Sequence, residues 1–327
     1  MVVVIHVSGG STWDVAQGSL LWHILNLWNA SARGSVALFL MISGVNFLHR
    51  AEPVRLRTLF TKYVLRMAVL YAVWRLLYAV DTQGLQALLS PAGWLRILRT
   101  NAKYHLWFLP RMLAAYLMLP ALWVLVHARE GKYAHYLSLL SLVLFFASTT
   151  LQTVNVSQNL TNLLALATLP LGVFPCYMLL GYSLSVLPVR VRSVWLFLLW
   201  AAVTVVMGLG SAVLCLRFGR EQDVLFGMTG LLPCLQSCLL FLLFRNFCGS
   251  ALLKRLQKPL SVFSGATLGV YLLHVFVLEH LRLWFGVHGA SLQPLLMVPL
   301  LSTAVFLFCV PVALLLRKIP AVGKWLA

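Results

Sequence analysis

Residues 194–216 read VWLFLLWAAVTVVMGLGSAVLCL, with Arg192 before them and Arg217 after them. No charged side chain interrupts the run. At ~1.5 Å per residue a helix of this length rises about 34 Å, enough to cross a hydrocarbon core ~30 Å thick. Comparable runs recur along the chain. Read by length and by the breakers between them, they give spans at about 1–10, 34–49, 59–80, 104–127, 137–154, 163–186, 194–216, 224–244, 260–281 and 292–316. Pro188, Gly249 and Gly289 punctuate connections.

Composition agrees. Of 327 residues 61% are hydrophobic and only 10% charged, and the mean hydropathy is +0.91. A soluble domain carries about 25% charged residues, so this chain lacks the charge to coat a water-facing surface. The expectation is one all-α, polytopic transmembrane domain over residues 1–327, with about ten membrane helices. The net charge of +18 does not imply nucleic acid, because the basic residues lie between apolar runs and not on one amphipathic face. Most fall in alternate connections and in the tail: Arg50, Arg55, Arg57 and Lys62, then Arg129 and Lys132, Arg190 and Arg192, Arg245, Lys254, Arg255 and Lys258, and finally Arg317, Lys318 and Lys324. The opposite connections hold Arg33, Arg96, Arg99, Lys103, Arg217, Arg220 and Arg282. That bias places both termini in the cytoplasm. Arg66, Arg75 and Arg111 fall within spans or at their edges, where an ionisable group faces a cavity or a partner.

Segment 82–103 is amphipathic, with Trp94 and Tyr104 suited to an interface. It reads as a helix on the outer leaflet or as a lid over a groove. The sequons at Asn155 and Asn159 matter only in a glycosylating cell and are treated as chance. The six cysteines (Cys176, Cys215, Cys234, Cys238, Cys248 and Cys309) form no CxxC pair and read as small apolar residues; no metal site is expected. The first run ends near Gly9, about 14 Å of helix, half the hydrocarbon thickness. It is expected to be a half-helix packed inside the protein or a truncated first helix.

The ionisable and aromatic residues in the runs are the candidates for chemistry. His6 lies in VVVIHVS, where a histidine is costly unless it faces a polar cavity; it suits a general base, or a structural hydrogen bond. Ser43 and Gly44, in RGSVALFLMISG, read as close helix packing, since the sequence offers no nucleophile elbow there. Tyr104, His105 and Trp107 open the fourth run; Tyr271 and His274 lie in the ninth, with Glu279 and His280 near its end. Glu279 can pair with Arg282. No Walker, GxGxxG or HExxH motif occurs. On chemistry alone the options are a transporter with a histidine-lined path and an enzyme working at the membrane.

Taken in order, VVVIHVS, WNASARGSVALFLMISG, the basic run through Lys62 and Arg66, YHLWFL and LGVYLLH resemble the acyltransferase 3 family of polytopic membrane acyltransferases. The resemblance implies that acetyl-CoA, a co-substrate and not a bound cofactor, delivers an acetyl group to a hydroxyl of a glycan or glycolipid at a bacterial inner membrane. It makes His6 the catalytic histidine, and it gives Arg33, Lys62 and Arg66 donor-binding or cavity-shaping positions. His105, Trp107, Tyr271, His274 and Glu279 are then acceptor-side candidates. The family also places an arginine about ten residues before its first histidine. Only five residues precede His6, a second reason to expect a truncated start.

Overall fold

The computed structural model describes residues 1–99, 103–153, 172–218, 224–248, 250–320 and 323–325. The sequons, Arg220, Gly249 and the first part of the 163–186 run lie outside them. Among the described residues all regular structure is helical. Five helical stretches are long and apolar enough to cross a membrane: Leu20–Leu48, Leu56–Gln83, Ser193–Phe218, Ala251–Phe285 and Pro294–Lys318. The bent pair Tyr104–Leu117 and Leu119–Leu144 makes a sixth if counted as one span. The chain is therefore a multi-pass membrane protein.

We number the helices α1 (Val2–Gly9), α2 (Leu20–Ala32), α3 (Ser35–Leu48), α4 (Leu65–Gln83), α5 (Pro91–Arg99), α6 (Phe108–Leu117), α7 (Leu119–His127), α8 (Lys132–Thr153), α9 (Val173–Val186), α10 (Ser193–Phe218), α11 (Leu231–Phe247), α12 (Ala251–Phe285) and α13 (Pro294–Lys318). They cluster into two compact units. The first comprises Met1–Pro53, Leu119–Arg255 and His288–Ser302; the second comprises Val54–Met118, Leu256–Val287 and Thr303–Ala327.

In the first unit α2 is an element that the sequence reading left inside a connection. It starts at a cap: Ser19 Oγ accepts from the Trp22 amide at 3.2 Å. The helix then presents Asn26 inward, where Nδ2 donates to the Gly208 carbonyl of α10 at 2.8 Å. Two asparagines in thirteen residues diluted the apolar signal, yet both are buried. α10 shows the inverted logic of a membrane helix. Thr204, Met207, Gly208, Ser211, Ala212 and Cys215 are buried, while Val194, Trp195, Phe197, Leu198, Val206, Leu209 and Val213 are exposed. Small and polar groups face protein and large apolar groups face lipid.

Close packing in this unit depends on two glycines. A Cβ on Gly44 of α3 would lie 2.0 Å from the Met178 carbonyl oxygen of α9, and a Cβ on Gly181 would lie 2.2 Å from that of Met41. Ser43 Oγ bonds back to the Phe39 carbonyl at 2.9 Å, so this pair of residues serves helix packing. The end of α9 is satisfied from α11. Arg245 donates to the Leu184 carbonyl in the last turn and to the Leu187 and Val189 carbonyls just beyond it.

In the second unit a short helical turn and a π-turn over Leu59–Val64 lead into α4. The amphipathic segment is helical as expected over Pro91–Arg99, and Arg75 of α4 donates to its Ile97 carbonyl at 2.9 Å. α12 runs for 35 residues through Pro259. At ~1.5 Å per residue it exceeds the bilayer core, and its first turns hold Lys254, Arg255 and Lys258.

Gly44→Ala forces a methyl into the Met178 carbonyl. Overpacking of this kind costs about 1–3 kcal/mol. The thermal midpoint of the detergent-solubilised chain should fall by several degrees. Ser43→Ala should cost less, and an unchanged midpoint for Gly44→Ala would refute the close contact.

Candidate functional site

The second unit gathers histidine and tyrosine in its interior. His105 sits in a 3-10 turn, Tyr104–Trp107, that enters α6. Its side chain is buried, at 2% exposure, and His274 of α12 is at 0%. The two imidazole centroids are 5.4 Å apart, edge to face. Tyr78 of α4 stands 5.2 Å from His105 and Tyr271 of α12 stands 5.5 Å from it. Tyr271 Oη donates to the His105 carbonyl, which fixes the turn against α12.

Tyr78 has a further role. Its hydroxyl donates to the Leu272 carbonyl at 2.8 Å and accepts from the Phe276 amide at 3.2 Å. In a regular helix those two groups bond to each other. The phenol is thus bonded to both groups of one rung of the α12 ladder, beside His274, while α12 stays helical through that turn. His274 Nδ1 lies 3.1 Å from the Val270 carbonyl. A carbonyl only accepts, so Nδ1 carries the proton and Nε2 of the neutral ring is the basic nitrogen. The helix thereby sets which nitrogen can take a proton from a hydroxyl.

Charge frames this cluster. Lys103 Nζ meets Glu279 Oε2 at 2.5 Å, so Glu279 engages Lys103 across the unit as well as lying three residues from Arg282 along its own helix. His280 Nε2 is 3.3 Å from Asp81 Oδ1, and its Nδ1 is 2.9 Å from the Phe276 carbonyl. Nearby, Trp107 and Arg111 stack, with the guanidinium carbon 4.6 Å from the ring centroid. These two residues and Tyr71, Arg75, Lys103, Leu106 and Pro110 line a cavity of about 190 Å³.

Lys62 and Arg66 lie toward the other end of the α4 stretch, more than a helical turn below Tyr71. Lys62 is on the π-turn, 5.8 Å from the Tyr63 ring. Arg66 is within electrostatic reach of Tyr116 and Arg317, and Arg317 donates to the Gly265 carbonyl of α12 at 2.7 Å. The second unit thus brings together His105, Trp107, Tyr271, His274 and Glu279, and holds Lys62 and Arg66 as a separate basic group. The sequence reading missed Tyr78, whose only signal was a tyrosine one turn before Asp81, and it did not single out Arg317.

His6 and Arg33 belong to the first unit. His6 is in α1, which packs on α2; Gly9 of α1 would drive a Cβ to 2.9 Å from Asn29 Nδ2. Arg33 lies at the break between α2 and α3, its guanidinium 4.3 Å above the Phe226 ring. The break is closed by α11. Gln236 Oε1 accepts from the Gly34 amide at 2.7 Å, and Nε2 donates to the Ala30 carbonyl at 2.9 Å and to Thr204 Oγ1 at 2.8 Å. Ser237 Oγ donates to the Gly34 carbonyl at 3.1 Å.

The family model described as an acyltransferase domain matches residues 1–317. The chain belongs to the acyltransferase 3 family. Comparison with curated proteins and with solved structures found no match. The match covers the whole of both units up to the end of α13, so both histidine-bearing regions are part of the acyltransferase domain.

Tyr78→Phe keeps the ring packing and removes the hydroxyl that bridges Leu272 and Phe276. The α12 turn beside His274 should then lose its tie to α4. The expected result is a loss of acyltransferase turnover with a thermal midpoint lowered by no more than a few degrees; normal turnover would show that the Tyr78 hydroxyl does not position His274. Gln236→Leu orphans the buried Gly34 amide, at about 1–3 kcal/mol, and removes a side-chain donor from the Ala30 carbonyl and from Thr204; it should lower the midpoint more than Tyr78→Phe does.

Proposed function

We propose that this acyltransferase moves an acetyl group from acetyl-CoA to a hydroxyl of a cell-surface or lipid-linked glycan, at a bacterial inner membrane. The observation that carries the reading is the buried His105–His274 pair, held by two tyrosines inside an acyltransferase 3 domain. A neutral imidazole with its Nδ1 proton tied to a carbonyl is a proton acceptor at Nε2. The sequence also resembles the inner-membrane O-acetyltransferase that modifies enterobacterial common antigen, which makes that glycan the first acceptor to try.

Ten spans and two cytoplasmic termini, as the Lys and Arg distribution suggests, put Lys62, Arg66 and Arg317 on the cytoplasmic side, where acetyl-CoA is available. Their charges suit its phosphates. The family resemblance gives Arg33, at the break before α3, a donor-binding or cavity-shaping role. His105, Trp107, Tyr271, His274 and Glu279 are then on the acceptor's side. The family resemblance gives His6 the role of general base. In the reaction a base takes the proton of the acceptor hydroxyl as its oxygen bonds to the thioester carbonyl carbon. The carbon–sulfur bond breaks and the CoA thiolate leaves, taking up a proton.

The test is base-labile acetyl ester on surface glycan, together with CoA thiol released by the purified full chain, for wild type and for His6→Ala and His274→Ala at matched expression. General-base loss costs about a hundredfold or more, so both signals should fall at least that far in His6→Ala, while His274→Ala, on the acceptor's side, should lower both by weakening use of the acceptor. Acetyl ester unaffected by either substitution in folded protein would overturn the assignment and favour transport of a glycolipid. A reporter fused to the C-terminus should report a cytoplasmic location; a reporter active only outside the cytoplasm would refute the topology.

A further inference from the structure

The cavity beside the histidine cluster has a chemistry of its own. Its lining includes three cations, Arg75, Lys103 and Arg111, and no carboxylate, with Tyr71 and Trp107 as aromatic walls. Lys103 also carries Glu279. Two of the cations are directed by bonds to fixed partners. Arg75 Nη1 donates to Tyr71 Oη at 2.8 Å and Nε to the Ile97 carbonyl at 2.9 Å, while Arg111 is stacked on Trp107. The volume of about 190 Å³ holds roughly six waters at ~30 Å³ each. It admits a hydrated phosphate.

One wall of the cavity is open. Trp107, Pro110 and Arg111 are exposed on the surface of a helix that belongs to a candidate span. An arginine and a tryptophan on such a surface sit where lipid headgroups meet the hydrocarbon. Glu279 already meets Lys103 and Arg75 is held by Tyr71 and Ile97; at the open edge Arg111 presents guanidinium donors, and a tetrahedral phosphate offers several oxygens to such a group.

We propose that this cavity binds a lipid-borne phosphate, reached from the bilayer through the Trp107–Arg111 face. The proposal deepens the acceptor reading above: the phosphate of a lipid carrier anchored here would leave the attached sugar free to extend toward the histidines. A membrane phospholipid could supply the same group, and the experiment separates the two sources.

The full chain, purified in neutral detergent, is titrated with polyprenyl diphosphate, with phosphatidylglycerol and with phosphatidylcholine, and bound lipid is counted by native mass spectrometry. Wild type should retain a lipid whose phosphate carries net negative charge over zwitterionic phosphatidylcholine. Arg111→Gln should weaken that binding about fivefold, the contribution of one basic residue to an anionic headgroup. Arg111→Lys should restore most of it, and Arg190→Gln, an exposed charge in the first unit, should leave it unchanged. Selective retention of polyprenyl diphosphate identifies a carrier-linked acceptor; equal retention of phosphatidylglycerol identifies the bulk lipid as the source. No preference for either over phosphatidylcholine, or the same affinity in Arg111→Gln, overturns the proposal. Binding is read without turnover, so its failure is distinct from failure of the transferase assignment.

Discussion

A backbone amide or carbonyl inside hydrocarbon has no water to bond, and each one left alone costs several kcal/mol. In this chain side chains meet the backbone at helix ends. At the turn between α2 and α3 the Gly34 amide is taken up by Gln236, which also donates to the Ala30 carbonyl beside the Arg33 amide, and Ser237 reaches the Gly34 carbonyl. The end of α9 is closed by Arg245. All three side chains come from α11. That helix is 17 residues long, and its contribution to the first unit is as much polar as apolar. The geometry of the motif around Arg33 depends on it.

The same constraint is used differently in the second unit. There a side chain from α4 bonds to one rung of α12: the hydroxyl of Tyr78 meets both the Leu272 carbonyl and the Phe276 amide. The helix stays regular through this turn, and His274 is held beside a fixed contact between the two helices. The His105 turn is fixed in turn by Tyr271. Two tyrosines thus hold two histidines.

Much of this was legible in the residues. The apolar runs announced a multi-pass helical protein. His105, Trp107, Tyr271, His274 and Glu279, named from separate motifs, lie in one unit of the structure. Ser43 and Gly44 were correctly read as packing, and the amphipathic 82–103 stretch does contain a helix. What stayed hidden has physical reasons. α2 carries two buried asparagines, whose polarity reads as a loop until their partners across the unit are known. Tyr78 shows nothing locally that marks a hydroxyl bonded to another helix, because its partners are nearly two hundred positions away. Lys103 finds Glu279 across a similar distance, where sequence proximity offered Arg282.

The π-turn at Leu59–Val64 has a consequence for the basic residues around it. A turn of this kind holds one residue more than an α-helical turn, so everything on its N-terminal side is rotated by about 100° relative to an uninterrupted helix. Lys62 and Arg66, four positions apart, are not the stacked neighbours that an i, i+4 spacing ordinarily means, because the first sits on the widened turn and the second on regular helix. Deleting a single residue here would leave composition and hydropathy almost untouched, yet it would swing the whole segment bearing Arg55 and Arg57 to another side of the helix axis. The length of this stretch, counted to one residue, is therefore part of how the basic face is aimed.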